Sequence, residues 1–220
     1  MARAAATADR GRFITLEGGE GAGKSTQLVR LADWLVAASG REVVRTREPG
    51  GTPGAEALRA LLVEGTADRW LPSTELLLFA AARDDHLRQL VRPALERGAW
   101  VLCDRFTDST LVYQGAAGGG SANRIALLDR EILDVPRPDL TLLLDLPPAD
   151  GLRRRAVAGG RGGRFEAKGQ GFHERVREGF LRLAWAEPDR VALIDATPPP
   201  EQVADAIRAE VARRFGLSTA

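Results

Sequence analysis

The stretch LEGGEGAGKST (residues 16–26) predicts both a local backbone shape and a chemistry. Its central part, GGEGAGKS (18–25), fits the pattern G-x-x-x-x-G-K-[ST], in which glycines let successive backbone N–H groups point at phosphate oxygens. The apolar run RFITLE (12–17) precedes the loop and an amphipathic helical stretch follows it. This is the strand–loop–helix setting that the pattern requires, so we predict a phosphate-binding loop.

Lys24 and Ser25 carry the side-chain chemistry of this loop. Of the 31 lysines and arginines, only Lys24 and Lys168 are lysines, and Lys24 stands where the pattern requires lysine. Lys24 can reach the outer phosphates of a nucleotide, and the Ser25 hydroxyl can bind Mg²⁺. Asp104, after another buried run, suits the same Mg²⁺ or its water shell. The loop residues predicted to bind the nucleotide are Gly18, Gly19, Glu20, Gly21, Ala22, Gly23, Lys24, Ser25 and Thr26.

Five apolar runs alternate with amphipathic helical stretches along the chain. The predicted strands are RFITLE (12–17), EVVRTRE (42–48), AWVLCDR (99–105), DLTLLLDL (139–146) and RVALIDAT (190–197). Continuous apolar strands separated by helices predict a parallel sheet that is covered on both faces. The fold class is therefore α/β, a P-loop NTPase-type three-layer α/β/α fold with a five-stranded parallel sheet. Its ligands should lie beyond the carboxyl ends of the strands.

Length and composition limit the class of protein. The chain has 220 residues, of which 44% are hydrophobic and 28% charged, which is ordinary for a globular protein. Cys103 is the only cysteine, so no internal disulfide can form, and a reducing, cytoplasmic setting is expected. The net charge of +1 argues against a nucleic-acid partner, and no apolar run reaches the length of a membrane span.

The chain divides into one domain with short additions. We predict a flexible N-terminal leader at residues 1–11 and a single domain over residues 12–216. The stretch GGRGGRFEAKGQ (159–170) is glycine-rich and basic, which is typical of a mobile loop. We expect a mobile lid over about residues 153–169, because glycine hinges permit closure over a bound nucleotide.

Several local signals predict helix boundaries and burial. Ser73 is expected to be the N-cap of a long helix, Pro93 to bend or split that helix, and Gly65 to end the helix before it. Cys103 is expected in the core. His173 is expected at the surface, near the start of a helix.

Residues after the second and third strands suit a second substrate. Arg47 stands beside a glycine-rich turn and could bind an anionic group. Phe79 and Arg83 are four residues apart, which places an aromatic ring and a guanidinium on one helix face, as a nucleobase would require. Arg105, next to Asp104, could hold a phosphate. A short helix presents Thr110, Tyr113 and Gln114 on one side.

These features favour phosphoryl transfer over two other uses of a phosphate-binding loop. The chain has no N-K-x-D-like segment for guanine recognition, whereas it does have candidates for an acceptor pocket. Another P-loop nucleoside or nucleoside monophosphate kinase is the first alternative. A non-enzymatic nucleotide-binding switch is the second.

A family resemblance adds to this interpretation. The motifs EGGEGAGKST, TREPGGT, FAAARDDH, DRFTDSTLVYQG, RPDLTLLLD, RFE and DAT occur in this order at suitable spacings. Together they resemble bacterial thymidylate kinases (dTMP kinases). The resemblance implies that ATP donates its γ-phosphoryl group to dTMP with Mg²⁺, giving dTDP and ADP, a step in dTTP biosynthesis. It also implies a homodimer.

The resemblance implies a role for each acceptor-site residue. It implies that Phe79 stacks on thymine and that Arg83 hydrogen-bonds the base. The arginines Arg47 and Arg105 are expected on the dTMP phosphate, and Tyr113 is expected to help reject ribose. Glu20 should approach the 3′-hydroxyl of the sugar. The full set of expected dTMP-binding residues is Glu20, Arg47, Pro49, Phe79, Arg83, Arg105, Ser109, Thr110, Tyr113 and Gln114.

The resemblance also implies that the lid supplies positive charge. Thymidylate kinases similar to the human and yeast enzymes carry an arginine in the phosphate loop where this chain has Gly21. The bacterial type instead uses a lid arginine, here Arg161 or Arg164, and the choice stays open because Gly163 replaces a common aspartate. The expected catalytic residues are Lys24, Arg105, Arg161 and Arg164.

Adenine recognition is assigned to the start of the lid and to the DAT segment. Arg153 or Arg155 could stack over the adenine, and Thr197 could lie beneath it. Arg154 is expected to be a solvated charge.

Overall fold

A computed structural model describes residues 10–159 and 163–218. Five parallel strands form one sheet with the order β2-β3-β1-β4-β5. The strands are β1 (Arg12–Glu17), β2 (Val43–Arg47), β3 (Trp100–Asp104), β4 (Leu140–Asp145) and β5 (Val191–Asp195). All five predicted strands are confirmed, and helices cover both faces of the sheet, so the predicted α/β fold is confirmed.

The helices follow the strands in the predicted alternation. They are α1 (Lys24–Ser39), α2 (Pro53–Val63), α3 (Pro72–His86), α4 (Arg92–Glu96), α5 (Thr107–Thr110), α6 (Ala122–Leu127), α7 (Pro148–Val157), α8 (Gln170–Ala186) and α9 (Pro200–Phe215). Wider, π-type turns continue three of them, namely Leu87–Val91 after α3, Leu111–Ala116 after α5 and Leu128–Ile132 after α6. In the described parts of the chain, no helix has the length and hydropathy that crossing a membrane requires.

One predicted helix boundary is wrong. Leu71, not Ser73, is the N-cap of α3, because Pro72 occupies the first turn, where its fixed φ and missing N–H suit a helix start. Helix α2 ends at Val63 with Glu64 as its C-cap, and Gly65, with a φ of 94°, follows directly and stops the helix as predicted. The interruption predicted at Pro93 takes the form of the π-type turn that precedes it, since proline cannot donate the regular helical hydrogen bond.

Alternation along the strands divides the core between the two faces of the sheet. Ile14 and Leu16 of β1 pack in a cluster with α1 and α9. Phe13 points to the opposite face and packs with Phe106 and with Cys103, which is buried as predicted.

His173 is buried and not at the surface as the sequence suggested. The first turn of α8 packs against the π-type turn Leu111–Ala116, where Phe172 meets the ring of Tyr113. The sequence around His173 is mostly polar, so this burial arises from a tertiary contact and not from a local pattern.

Glu17 is a buried carboxyl group at the carboxyl end of β1. Its Oε1 accepts the backbone N–H groups of Phe106 (2.7 Å) and Ser109 (3.2 Å), and its Oε2 accepts the Ser109 hydroxyl (2.6 Å). These bonds fix the turn that carries Arg105. Burial, together with the charge of Asp108, raises the pKa of Glu17 from 4.5 to about 7.

We expect Glu17→Gln to remove a pH dependence of stability. In the wild type the unfolded chain releases the Glu17 proton near pH 4.5, but the folded chain holds it until about pH 7. Wild-type stability should therefore fall as the pH rises through this window, by about 3 kcal/mol from this group. Urea unfolding at pH 5 and pH 8 measures the change. Glu178→Gln, at an exposed glutamate, is the matched control. Identical pH dependence in the wild type and Glu17→Gln would contradict the prediction.

Candidate active site

A cleft of about 890 Å³ opens at the carboxyl edge of the sheet. The phosphate loop forms one wall, and the ends of β2 and β3, helices α2, α3 and α7 and residues 163–166 form the others. The predicted substrate-site residues that line it are Glu20, Gly21, Gly23, Lys24, Ser25, Thr26, Arg47, Pro49, Phe79, Arg83, Asp104, Arg105, Ser109, Thr110, Tyr113, Gln114, Arg155 and Arg164.

Other predicted residues lie elsewhere. Gly18, Gly19 and Ala22 belong to the loop but are not part of the lining, and neither are Arg153 and Thr197. Arg161 lies outside the described residues.

The phosphate loop folds around its own lysine. Gly18, Gly21 and Gly23 have φ of 136°, 70° and 88°, a region that glycine adopts at low cost. The Nζ of Lys24 donates to the carbonyl oxygens of Gly18 (3.1 Å) and Gly19 (2.7 Å). Burial, together with the positive charge of Arg105, lowers the pKa of Lys24 to about 8. The lysine is thus held at the base of the loop, beside the cleft.

Gly21 and Gly151 bring the loop into backbone contact with α7. A Cβ built on Gly21 would lie 2.0 Å from the carbonyl oxygen of Gly151, and a Cβ on Gly151 would lie 2.0 Å from that of Glu20. Any side chain at either position would require the backbone to move. An arginine therefore cannot replace Gly21 in this arrangement, which agrees with a positive charge supplied from elsewhere.

Ser25 and Asp104 form a pair of oxygen ligands. The Ser25 hydroxyl donates to Oδ2 of Asp104 at 2.6 Å. A hydroxyl and a carboxylate are ligands that Mg²⁺ accepts, and Mg²⁺ usually completes its shell with water and phosphate oxygens. Within residues 10–159 and 163–218, no group of three or more His, Cys, Asp or Glu side chains is placed to hold a metal ion. The pair thus fits a Mg²⁺ whose other ligands come from nucleotide and solvent.

Arg105 stands at the centre of the cleft. Its φ of 69° is unusual for a residue with a side chain, and it turns the chain sharply at the end of β3. The guanidinium donates to the Gly18 carbonyl (3.0 Å), the Ser109 hydroxyl (3.1 Å) and Oε1 of Glu20 (2.8 Å). It also lies 4.9 Å from the centre of the Tyr113 ring. Arg105 therefore links the phosphate loop to the helix that follows β3.

Glu20 remains ionised although it is shielded from solvent. Burial alone would raise its pKa, but the charges of Arg105 and Lys24 outweigh this and lower it to about 2. The Tyr113 hydroxyl donates to Oε1 of Glu20 at 3.0 Å. This leaves a fixed carboxylate between the loop and the aromatic side of the cleft.

Arg47, at the end of β2, and Arg59, in α2, add positive charge to the cleft. Two carboxylate oxygens of Glu56 hold the Arg47 guanidinium, with Nη2 at 2.9 Å from Oε2 and 3.1 Å from Oε1. Arg59 of α2 lines the cleft, and its Nη1 donates to the Pro49 carbonyl at 2.6 Å. Arg59 could not be predicted as a site residue, because an arginine within an amphipathic helix carries no local sign of a binding role.

Phe79 and Arg83 share the predicted helix face and both line the cleft. Arg83 is only 3% exposed, and its Nη2 donates to the Thr110 hydroxyl at 2.7 Å. The Phe165 ring approaches the Phe79 ring at 6.2 Å between centroids. This part of the cleft is an aromatic slot with a fixed hydrogen-bond donor, which suits a planar base.

Residues 163–166, which belong to the predicted lid, contact this slot. Arg164 is buried, forms an ion pair with Glu75 of α3 and donates through Nη1 to the Leu62 carbonyl at 3.0 Å. Glu75 also accepts from Nε2 of Gln114 at 2.8 Å. The Phe165 ring meets the Tyr113 ring edge-on at 5.9 Å. Arg164 thus joins residues 163–166 to the wall of the cleft.

The structure changes the expectation for the arginines of α7. Arg154 is exposed, as expected, but it also donates to the carbonyl oxygens of Ala196 and Thr197, both at 2.9 Å, and lines the cleft. Arg153 instead pairs with Asp150 away from the lining. Arg155 lines the cleft and pairs with Glu166 at 2.6 Å. Helix rotation of 100° per residue separates these neighbours, and the sequence did not show which one faces the DAT segment.

Comparisons with known proteins agree with this geometry. The family model for thymidylate kinase matches residues 16–207. Thymidylate kinase from Caulobacter vibrioides is 57% identical over 208 residues, which is 94% of this chain and 99% of that protein. Thymidylate kinase from Magnetococcus marinus is 51% identical over 95% of this chain and 99% of that protein.

A solved structure extends the match to three dimensions. The crystal structure of thymidylate kinase from Ehrlichia chaffeensis superposes with a TM-score of 0.75 at 32% identity, covering 92% of this chain and 99% of that one. The fold, the cleft and the matched length thus agree, and the chain belongs to the thymidylate kinase family.

Proposed function

We propose that this cleft carries out the thymidylate kinase reaction, which transfers the γ-phosphoryl group of ATP to dTMP and gives dTDP and ADP. Family membership establishes this activity for the chain, with Mg²⁺ and ATP as its cofactor and donor. The observation that carries the assignment of roles is the position of Arg105. Its guanidinium contacts the phosphate loop through Gly18 and the acceptor side through Ser109.

On the donor side, the loop binds the phosphates of ATP through its backbone N–H groups and Lys24. Ser25 and Asp104 would hold Mg²⁺, which neutralises charge on the phosphates when bound. The Nζ of Lys24 now donates to two loop carbonyls, so it can exchange these bonds for phosphate oxygens at little cost in position. Arg154 and the carbonyl of Thr197 form the adenine side, with Arg155 beside them.

On the acceptor side, thymine stacks on Phe79 and accepts from Arg83. The dTMP phosphate meets Arg105, with Arg47 and Arg59 nearby. The Glu20 carboxylate and the Tyr113 hydroxyl, already joined at 3.0 Å, face the sugar. Ser109, Thr110, Gln114 and Pro49 complete this wall.

The attacking group is an oxygen of the dTMP phosphate, which is an anion near neutral pH. No general base is needed, and catalysis rests on holding two polyanions in line and stabilising the transferred group. The concentration of arginines in a site that excludes water supplies this stabilisation.

We propose residues 153–169 as the lid of the single domain at residues 12–216. Arg164 anchors the lid to Glu75, so its guanidinium is engaged on the acceptor side. Arg161 is then the stronger candidate for the charge on the transferred phosphoryl group.

A homodimer and a cytoplasmic location complete the proposal. The dimer is supported by apolar side chains of the α2–α3 layer that face solvent, namely Leu61, Leu71 and Leu77, which is 59% exposed. The cytoplasmic location is supported by the single thiol, Cys103, which can form no internal disulfide.

The choice of acceptor tests the proposed reaction. ADP release from ATP should be fastest with dTMP, slower with dUMP and dCMP, and near background with thymidine or no acceptor. A coupled assay with each acceptor measures this. Equal release without acceptor would favour a nucleotide-binding switch or hydrolase, and a preference for thymidine over dTMP would favour a nucleoside kinase.

Two alanine variants separate the roles of Arg161 and Arg164. Arg161→Ala should lower kcat by about 10³-fold with little change in the KM for dTMP, because a transition-state charge is lost. Arg164→Ala should mainly raise KM values, because it releases the lid from Glu75. Arg208→Ala, on the surface of α9, is the matched control. Unchanged kcat in both lid variants would rule out Arg161 and Arg164 as the source of charge.

Sedimentation tests the proposed homodimer. The wild type should sediment as a dimer at micromolar concentration, and Leu77→Lys should raise the dimer dissociation constant about tenfold or more by placing a charge in an apolar contact. Leu193→Lys, at another exposed leucine in β5, should leave the dimer dissociation constant unchanged. A monomeric wild type would contradict the proposal.

A further inference from the structure

His86 is a fully buried imidazole that does not line the cleft. It is the last residue of α3, three residues after Arg83. Its Nε2 is 2.7 Å from the Thr46 hydroxyl, and its Nδ1 is 3.0 Å from Oε1 of Glu48. Both ring nitrogens therefore have a partner within the protein.

The partners define which ring nitrogen donates to Glu48. Glu48 is a carboxylate: its burial favours a raised pKa, but the charge of Arg83 and the bond from His86 lower it. A carboxylate only accepts, so Nδ1 carries the hydrogen and donates to Glu48. In the neutral ring Nε2 then accepts from the Thr46 hydroxyl. The imidazole is thus a fixed link between β2 and the Glu48 side chain.

Glu48 connects His86 to Arg83. Its second oxygen, Oε2, accepts from Nε of Arg83 at 2.9 Å. Asp129 and Thr110 accept from Nη1 (3.1 Å) and Nη2 (2.7 Å), and the guanidinium lies 5.5 Å from the centre of the Phe106 ring. Three of the five N–H groups of this guanidinium are thereby engaged, and two are left for a ligand in the cleft.

The turn after β2 packs directly on this link. A Cβ on Gly51 would lie 2.3 Å from the Thr46 hydroxyl oxygen and 2.8 Å from Cδ2 of His86. The N–H of Gly51 donates to Glu56, the residue that holds Arg47. The imidazole therefore supports both the base end and the phosphate end of the acceptor site.

We propose that His86 is a positioning residue for base selection: through Glu48 it fixes the Arg83 guanidinium so that its free N–H groups meet the C4 carbonyl of the pyrimidine. This inference rests on the proposed role of Arg83 in reading the base. A guanidinium can only donate, so a fixed one selects the C4 carbonyl of thymine over the C4 amino group of cytosine. A guanidinium that can move loses part of this discrimination.

The test is His86→Asn, with kcat/KM measured for dTMP and for dCMP. The dTMP-to-dCMP ratio should fall about tenfold, because a misplaced charged donor loses much of one hydrogen bond. The KM for ATP should change little. His173→Asn, the same change at the other buried imidazole of the chain, should leave the ratio unaltered. A purely structural role for His86 would lower activity toward both acceptors equally and leave the ratio constant, which would overturn the proposal.

Two further variants separate the possible failures. Arg83→Gln tests the role of Arg83 itself: if it lowers the ratio while His86→Asn stays within about twofold of the wild type, the positioning role is refuted and the proposed function stands. A ratio unchanged in Arg83→Gln would refute the role of Arg83 in reading the base, and with it the positioning role of His86. If His86→Asn does not fold, Thr46→Val removes the Nε2 partner with little change in volume and should lower the ratio about threefold. An unchanged ratio in Thr46→Val would then overturn the proposal.

Discussion

The hydrogen bonds of the Arg105 guanidinium join the two halves of the active site. A cation at this point must sit close to two polyanionic substrates, yet it also has to stay in place before they arrive. The left-handed backbone of Arg105 directs the side chain into the cleft, and Glu17 fixes the following turn through Phe106 and Ser109. Glu20 supplies the balancing charge. The arginine is thus preorganised, and its ordering cost is met during folding and not during binding.

The same balance of charge recurs around the cleft. Arg47 is held by Glu56, Arg83 by Glu48, and Arg164 by Glu75. Each carboxylate keeps its arginine oriented and limits the repulsion among cations, and a substrate phosphate can share an arginine without leaving a buried charge alone. Arg59 differs, because its bond goes to a carbonyl, and its pKa is lowered by burial and by the charge of Arg47. A phosphate would relieve that penalty directly.

Features that depend on a short, continuous segment of the chain could be predicted from the sequence. The phosphate loop, the five strands and the Phe79–Arg83 face follow from spacing and hydropathy along a continuous segment. The contacts that could not be predicted join distant parts of the chain. The approach of Gly21 to Gly151 and the link from His86 to Glu48 join residues far apart in sequence. Ser73 failed as a cap because the neighbouring proline is a stronger helix-start signal.

The proposed lid contacts the rest of the protein at both of its ends. At its first end, Arg154 ties α7 to the carbonyls of Ala196 and Thr197, on the side assigned to adenine. At its other end, Arg164 reaches Glu75, which also holds Gln114 on the acceptor side. Both ends of the proposed lid are therefore attached to walls of the cleft. In the proposed function these walls bind ATP and dTMP, so each substrate would act on the lid through the attachment on its own side, which would couple lid closure to occupancy of both sites and to the displacement of water.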